Sequence, residues 1–183
     1  MTTSESDNSD EDVLMARYAD GDISAFRQPY NLYERRIYSF CLRYLDDADA
    51  AADAFQDVFV RVVDARHRYE GRGQFANWIF TISRRICLDR IRADRPTEEL
   101  DSPTAQLQLR HEPSFVERIP IRDEIEELLA GLPREQREVL LLNRYHGFTY
   151  REIAEMIHSS ETAVKQKAYR AVQAIRAAKT SRA

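Results

Sequence analysis

Six cations and no carboxylate lie between Thr162 and Ala183: Lys165, Lys167, Arg170, Arg176, Lys179 and Arg182. A second basic run, Arg84–Arg95, sets five arginines against two aspartates. Yet the chain as a whole is acidic, with a formal net charge of −4 over 183 residues. Clustered Lys and Arg neutralise phosphate, and their donors also reach base edges. The chemistry on offer is anion binding at two local faces of an acidic body. Ser159, Ser160, Glu161 and Thr162 stand just ahead of the terminal lysines, and Gln166 and Tyr169 are interleaved with them. Gln pairs bidentately with adenine, Lys bonds guanine, and Tyr, Lys and Arg anchor phosphate.

Catalysis has no comparable constellation. There is no GxxxxGK[ST] phosphate loop and no HExxH pair. His67, His111, His146 and His158 fall in separate segments without ligand spacing, so no metal or other cofactor is expected, and no enzyme activity. Adjacent acids such as Glu126 and Glu127 read as a solvated helix face. Cys41 and Cys87 sit inside apolar patterns and read as reduced core thiols. No apolar run approaches ~18 residues, so no membrane insertion is expected. The acidic start lacks the basic-then-apolar order of a secretion signal, and a cytoplasmic location follows as the expectation.

The elements that must carry these groups are helices. Five glycines and six prolines are few, and no segment alternates with period two for long. Residues 1–12 hold five acids and almost nothing apolar, and are expected to lack structure. A first helical domain is expected over 13–93, from apolar residues spaced by three and four. Phe26, Tyr33, Ile37, Phe40 and Tyr44 form one stripe, interrupted by Pro29, which should kink the helix or start a new turn. Phe55, Val58, Phe59 and Val62 form a second stripe. Phe75, Trp78, Ile79, Ile82 and Ile86 form a third, after a glycine-marked loop at 66–74. Residues 94–120 carry four prolines among acids and read as an extended acidic linker. A second helical domain is expected over 121–178. Gly131 and Gly147 end its first two helices. Thr149 and Glu152 have capping-box spacing at the start of the third, and Ser160 caps the fourth. The fold class is all-α: two small helical domains, the second ending in two helices joined by a short turn.

A helix-turn-helix places its second helix in the major groove, with N-terminal residues at base edges. Beyond that form, "LPREQREVLLLNRYHGFTYREIAEMIHSSETAVKQKAYRAVQAIR" (132–176) resembles region four, the promoter-binding domain of sigma factors of bacterial RNA polymerase. "DAFQDVFVRVV" (53–63) and "FANWIFTISRRICLDRIR" (75–92) resemble region two of the same superfamily. Size and layout resemble the extracytoplasmic-function (ECF) group. The resemblance implies a factor that binds core polymerase and opens promoter DNA. Asp53, Gln56 and Asp57 are then the core-polymerase contacts. Arg72, Gln74, Trp78, Arg84, Arg85, Arg90 and Arg92 face the minus-ten element. Trp78 offers a ring for an extruded base, although its spacing with Phe75, Ile82 and Ile86 also suits the core. Ser159, Ser160, Glu161, Thr162, Lys165, Gln166, Tyr169 and Arg170 read the minus-thirty-five duplex. An anti-sigma factor is the further partner implied, and the acidic linker matches the family's threading toward the RNA exit path.

Several positions depart from the family pattern. His158 stands where Gly is frequent, Gln166 and Lys167 where Ser-Arg is common, Ala168 where Leu is usual, and Arg85 where many members have Asn. Two rival readings remain: a sigma-like decoy that titrates an anti-sigma factor, and an autonomous helix-turn-helix regulator. The latter binds DNA tightly alone, usually as a dimer. A net-acidic chain with two modest basic faces should instead be a monomer when free and need polymerase to hold DNA.

Overall fold

The computed structural model describes residues 4–69, 75–93 and 123–182, all helices and the turns between them, with no strand among the described residues. Four helices form the first unit: α1 (Ser4–Ala19), α2 (Arg27–Leu45), α3 (Ala48–Ala65) and α4 (Phe75–Ala93). The second contains α5 (Asp123–Ala130), α6 (Arg134–Leu140), α7 (Tyr150–Met156) and α8 (Glu161–Arg182). The expected linker over 94–120, together with Arg72 and Gln74, lies outside the described residues.

The acidic start departs from expectation. Helix begins at Ser4, not after residue 12. Met15 and Tyr18 are buried, and so is Glu11, which accepts a 2.7 Å hydrogen bond from the Tyr33 hydroxyl. Asp12 accepts another from Tyr69. The composition that argued for a free tail is offset by two acids that find phenol donors and two apolar residues that find the core.

Of the two outcomes expected of Pro29, the structure shows the new turn, at the start of α2 after a short 3-10 segment, Ile23–Phe26. Pro29 lies buried in the first turn, where its missing N–H has no helical partner to lose. Asp46 ends the helix in a left-handed conformation, and the Asp47 carboxylate caps α3 through the Ala50 amide at 2.7 Å. The three apolar stripes meet as expected. Tyr33 packs edge-on to Phe75 at 5.2 Å, Phe40 to Phe80 at 5.5 Å, and Tyr38 to Phe55 at 6.0 Å. Cys41 and Cys87 are free thiols, both buried in this core.

In the second unit α6 continues through a wider π-turn at 141–145. Gly147, at φ 81°, takes the chain round to α7, and Asn143 donates to the Phe148 carbonyl at 2.8 Å to close the corner. A small cluster of Leu129, Leu132, Leu140, Leu141 and Ala171 binds α5, α6 and α8. Other apolar residues of this unit, Val139, Leu142, Phe148 and Ile153 among them, join the larger core of the first unit. The two units therefore sit against each other.

Candidate nucleic-acid interface

The local sequence builds the helix-turn-helix. The Thr149 hydroxyl accepts from the Glu152 amide at 3.2 Å, while Glu152 accepts from the Thr149 amide at 2.7 Å, completing the capping box. After α7 the chain reverses at His158, whose φ of 52° is left-handed. The Ser159 amide returns to the Ala154 carbonyl at 2.9 Å. Ser160 then caps α8 through the Ala163 amide at 3.2 Å.

Val164, Ala168 and Ala171 are buried and root α8 in the fold. The opposite face is open. Glu161, Thr162, Lys165, Gln166, Tyr169 and Arg170 are all exposed, and Tyr169 is 66% exposed despite its ring. Seven of the eight residues expected at the minus-thirty-five element thus face solvent, and Ser159 is half-buried. Lys165 pairs with Glu161 one turn back at 2.6 Å. Lys167 points the other way, to Glu135 of α6 at 2.8 Å. That hydrogen bond and the lysine charge hold the Glu135 carboxyl below its ordinary range.

The basic run of α4 is arranged differently. Arg84 is half-buried and bonds Glu138 of α6, in the other unit. Arg90 bonds Asp57 of α3 and lies 3.7 Å from Asp53. Arg92 is 3.5 Å from Asp89, and Arg85 is exposed. Trp78 is half-buried, its ring 5.1 Å from Tyr69 and 6.0 Å from Phe75. It is part of the aromatic cluster packed against the core. Asp53 and Asp57 project from α3 at 70% and 52% side-chain exposure, Gln56 is half-buried, and Phe59 beneath them is core. The structure thus joins two groups that the sequence kept apart, since the acids expected at polymerase hold an arginine expected at DNA.

Sequence reasoning missed Glu138, Arg36 and His146. Glu138 is buried, and burial raises its carboxyl above the ordinary range, while Arg84 and the Tyr44 hydroxyl, donating at 3.3 Å, pull it back. Arg36 donates to the His146 carbonyl at 3.1 Å. The His146 ring lies 4.6 Å from Phe80 and 5.8 Å from Phe40, and its Nε2 is buried without a hydrogen-bond partner. Burial, reinforced by the Arg36 and Arg43 charges, lowers its pKa to about 3, so the imidazole is neutral at pH 7. The one local signal for Glu138 was its place directly before the buried Val139 and Leu140.

Comparison with known proteins adds two family matches. Residues 30–97 match "Sigma-70 region 2", and residues 122–175 match "Sigma-70, region 4". Among curated proteins, the ECF RNA polymerase sigma factor SigX of Bacillus subtilis (strain 168) is 25% identical over 158 residues, covering 82% of this chain and 81% of its own. In fold, the chain resembles CnrH in its complex with the cytosolic domain of CnrY, at TM-score 0.73 and 22% identity, covering 95% of this chain and 99% of that one. It also resembles the sigma factor RpoE bound to the anti-sigma factor NepR from Bartonella quintana, at TM-score 0.64 and 20% identity, covering 82% and 93%.

Proposed function

The chain belongs to the sigma-70 family, and from that premise we infer that it is an ECF sigma factor that directs transcription initiation on core RNA polymerase. Region 2 occupies the first helical unit and region 4 the second. The polymerase supplies the chemistry; this chain supplies promoter recognition and strand opening in the cytoplasm. Its partners are core polymerase, promoter DNA and an anti-sigma factor. The observation that carries the reading is the capped helix-turn-helix with a fully open polar face on α8.

On this reading Thr162, Lys165, Gln166, Tyr169 and Arg170 meet the minus-thirty-five duplex. Ser160 spends its hydroxyl as a cap, and Glu161 steers Lys165. Arg85 and Arg92 are the α4 cations nearest to hand for minus-ten phosphate, with Trp78 offering its ring to a base. Asp53, Gln56 and Asp57 dock on the polymerase. The two basic faces are each weak, and the polymerase holds them in register, which raises the effective concentration of the second contact.

In vitro transcription with bacterial core enzyme on a promoter library tests this. Chain-dependent RNA start sites are expected. A complex with core that starts no RNA would make the chain a decoy, and tight promoter binding without core would make it an autonomous regulator.

A further inference from the structure

Arg90 belongs by sequence to the basic run of α4, but its guanidinium is turned onto α3. Nη2 bonds the Asp57 carboxylate, and Nη1 lies 3.7 Å from Asp53. The two acids are four residues apart, so they project from one side of α3. A single fork therefore spans both carboxylates expected at the polymerase. The stem behind it is enclosed, with Nε buried and without a hydrogen-bond partner. We propose that Arg90 is a positioning residue for polymerase docking: its guanidinium holds Asp53 and Asp57 in the arrangement that core polymerase meets, and it makes no minus-ten phosphate contact. The inference rests on the reading that Asp53 and Asp57 dock on the polymerase.

The role follows from charge and geometry. Like charges one helical turn apart repel, and a cation between them offsets that repulsion. A guanidinium also presents its donors in fixed directions, so it sets where the carboxylate oxygens lie; an ammonium supplies charge without that geometry. The carboxylates remain usable. Asp53 and Asp57 keep 70% and 52% exposure, against 29% for Arg90, and an ionised carboxylate has about four acceptor sites. Asp57 can hold Arg90 and still accept from a cation of the polymerase. The arginine is committed where the acids are free. A buried N–H without a partner is a cost that the contacts to α3 must offset, and reaching out to phosphate would break both contacts.

Titration of the full-length chain against immobilised core enzyme tests the proposal. Arg90→Ala should weaken core binding about three- to fivefold, the scale of an exposed ion pair. Arg90→Lys should recover part of that loss. In a background of Asp53→Asn with Asp57→Asn, Arg90→Ala should cost nothing further, whereas a role in packing α4 on α3 would cost the same in both backgrounds. Should Arg90→Ala lose helix content, Arg90→Lys carries the same cycle with a smaller loss. At saturating core, the salt dependence of binding to a single-stranded minus-ten oligonucleotide should be unchanged by Arg90→Ala. A slope flattened by about 0.7 would place Arg90 on phosphate and overturn the proposal. So would core affinity that is unchanged or raised in Arg90→Ala, or an equal loss in the acid-free background. A wild type that does not bind core at all takes down the functional reading and this role together; a wild type that binds core as tightly as Arg90→Ala takes down the role alone.

Discussion

Helices α4 and α8 carry similar basic runs, but α8 presents more of its charge: Arg84 and Arg90 of α4 are held, while Arg85 and Arg92 are exposed. On α8, Lys165 keeps 57% exposure even while paired with Glu161, and Arg170 is exposed. On α4, Arg84 is held by Glu138 and Arg90 by Asp57, leaving them 20% and 29% exposed. The carboxylates make the difference. Glu161 is a neighbour one turn away, and such an exposed pair is worth less than about 1 kcal/mol, so phosphate can replace it. Glu138 and Asp57 come from other helices, one of them in the other unit. A count of arginines measures how much charge a segment has; its tertiary partners decide how much is available.

The comparison breaks first at α8 if it is wrong. Lys165→Ala with Arg170→Ala should abolish most initiation, each contact costing about 1–3 kcal/mol if it reads a base. Core binding should be unaffected, because the expected core contacts Asp53 and Asp57 lie on α3, in the other helical unit. The matched control, Arg90→Ala with Arg92→Ala, should leave binding to an isolated minus-thirty-five duplex unchanged. Equal losses from both pairs in a promoter-binding titration would erase the distinction between the two helices.

Acid should make α4 behave more like α8. His146 is neutral where the two units meet, against Phe80 and Phe40, with a pKa of about 3 against an ordinary 6.5. Its folded value is depressed, so its contribution is complete above 6.5 and is lost as pH falls. The loss is about 1.4 kcal/mol per unit below 6.5, so about 2 kcal/mol at pH 5. Glu138 acts in the opposite sense: burial raises its pKa, the folded chain holds its proton more readily, and that contribution grows toward acid. Amide hydrogen exchange in α6 and α4 should show the contact between these helices loosening between pH 7.5 and 5. His146→Phe should remove that trend, and its persistence in the variant would move the titration to another group.

These partners explain how much was legible beforehand. The helices, the Thr149–Glu152 box and the α8 face are local. Caps act over three residues and stripes over four, so the sequence states them directly. Pro29 left two outcomes open, a new turn or a kink, and a few residues of register decide between them: in the first turn of α2 it costs no hydrogen bond. The acidic start was misjudged by composition, because Glu11 and Asp12 are satisfied by Tyr33 and Tyr69, far along the chain. From sequence Arg84 and Arg90 look available, because their carboxylates lie 54 and 33 residues away, at separations no periodicity reports. Glu138 carried only a weak local signal for the same reason, as a buried charge is recognised by its partners, here Arg84 and Tyr44.

Asp57 tests the occupied side from the other direction. Asp57→Lys removes the carboxylate on Arg90 and puts a cation where the polymerase is expected to meet an acid. Affinity for core should fall by about 1 kcal/mol, the scale of a charge at an interface rim. A surface-plasmon titration against immobilised core enzyme measures it directly. Equal affinity would take Asp57 out of the docking face, while stronger promoter binding by the variant would show Arg90 released toward DNA.

The smallest effect concerns how α8 is presented. His158 holds a left-handed backbone at φ 52°, where a side chain with a Cβ is disfavoured by about 1 kcal/mol or more. The residue is exposed, so its imidazole adds no burial. His158→Gly relieves the strain but adds unfolded-chain entropy worth about 0.4–1 kcal/mol. The two nearly cancel, leaving an expected stabilisation of a few tenths of a kcal/mol in the urea midpoint at unchanged slope. The greater consequence is orientational. If His158 stiffens the turn that aims α8, the glycine variant should bind the minus-thirty-five duplex more weakly while melting no earlier. A variant that melts much earlier would show that the imidazole makes a stabilising contact, and one that binds as well as wild type would show that the Ser160 cap and the buried Val164 aim the helix without help from the turn.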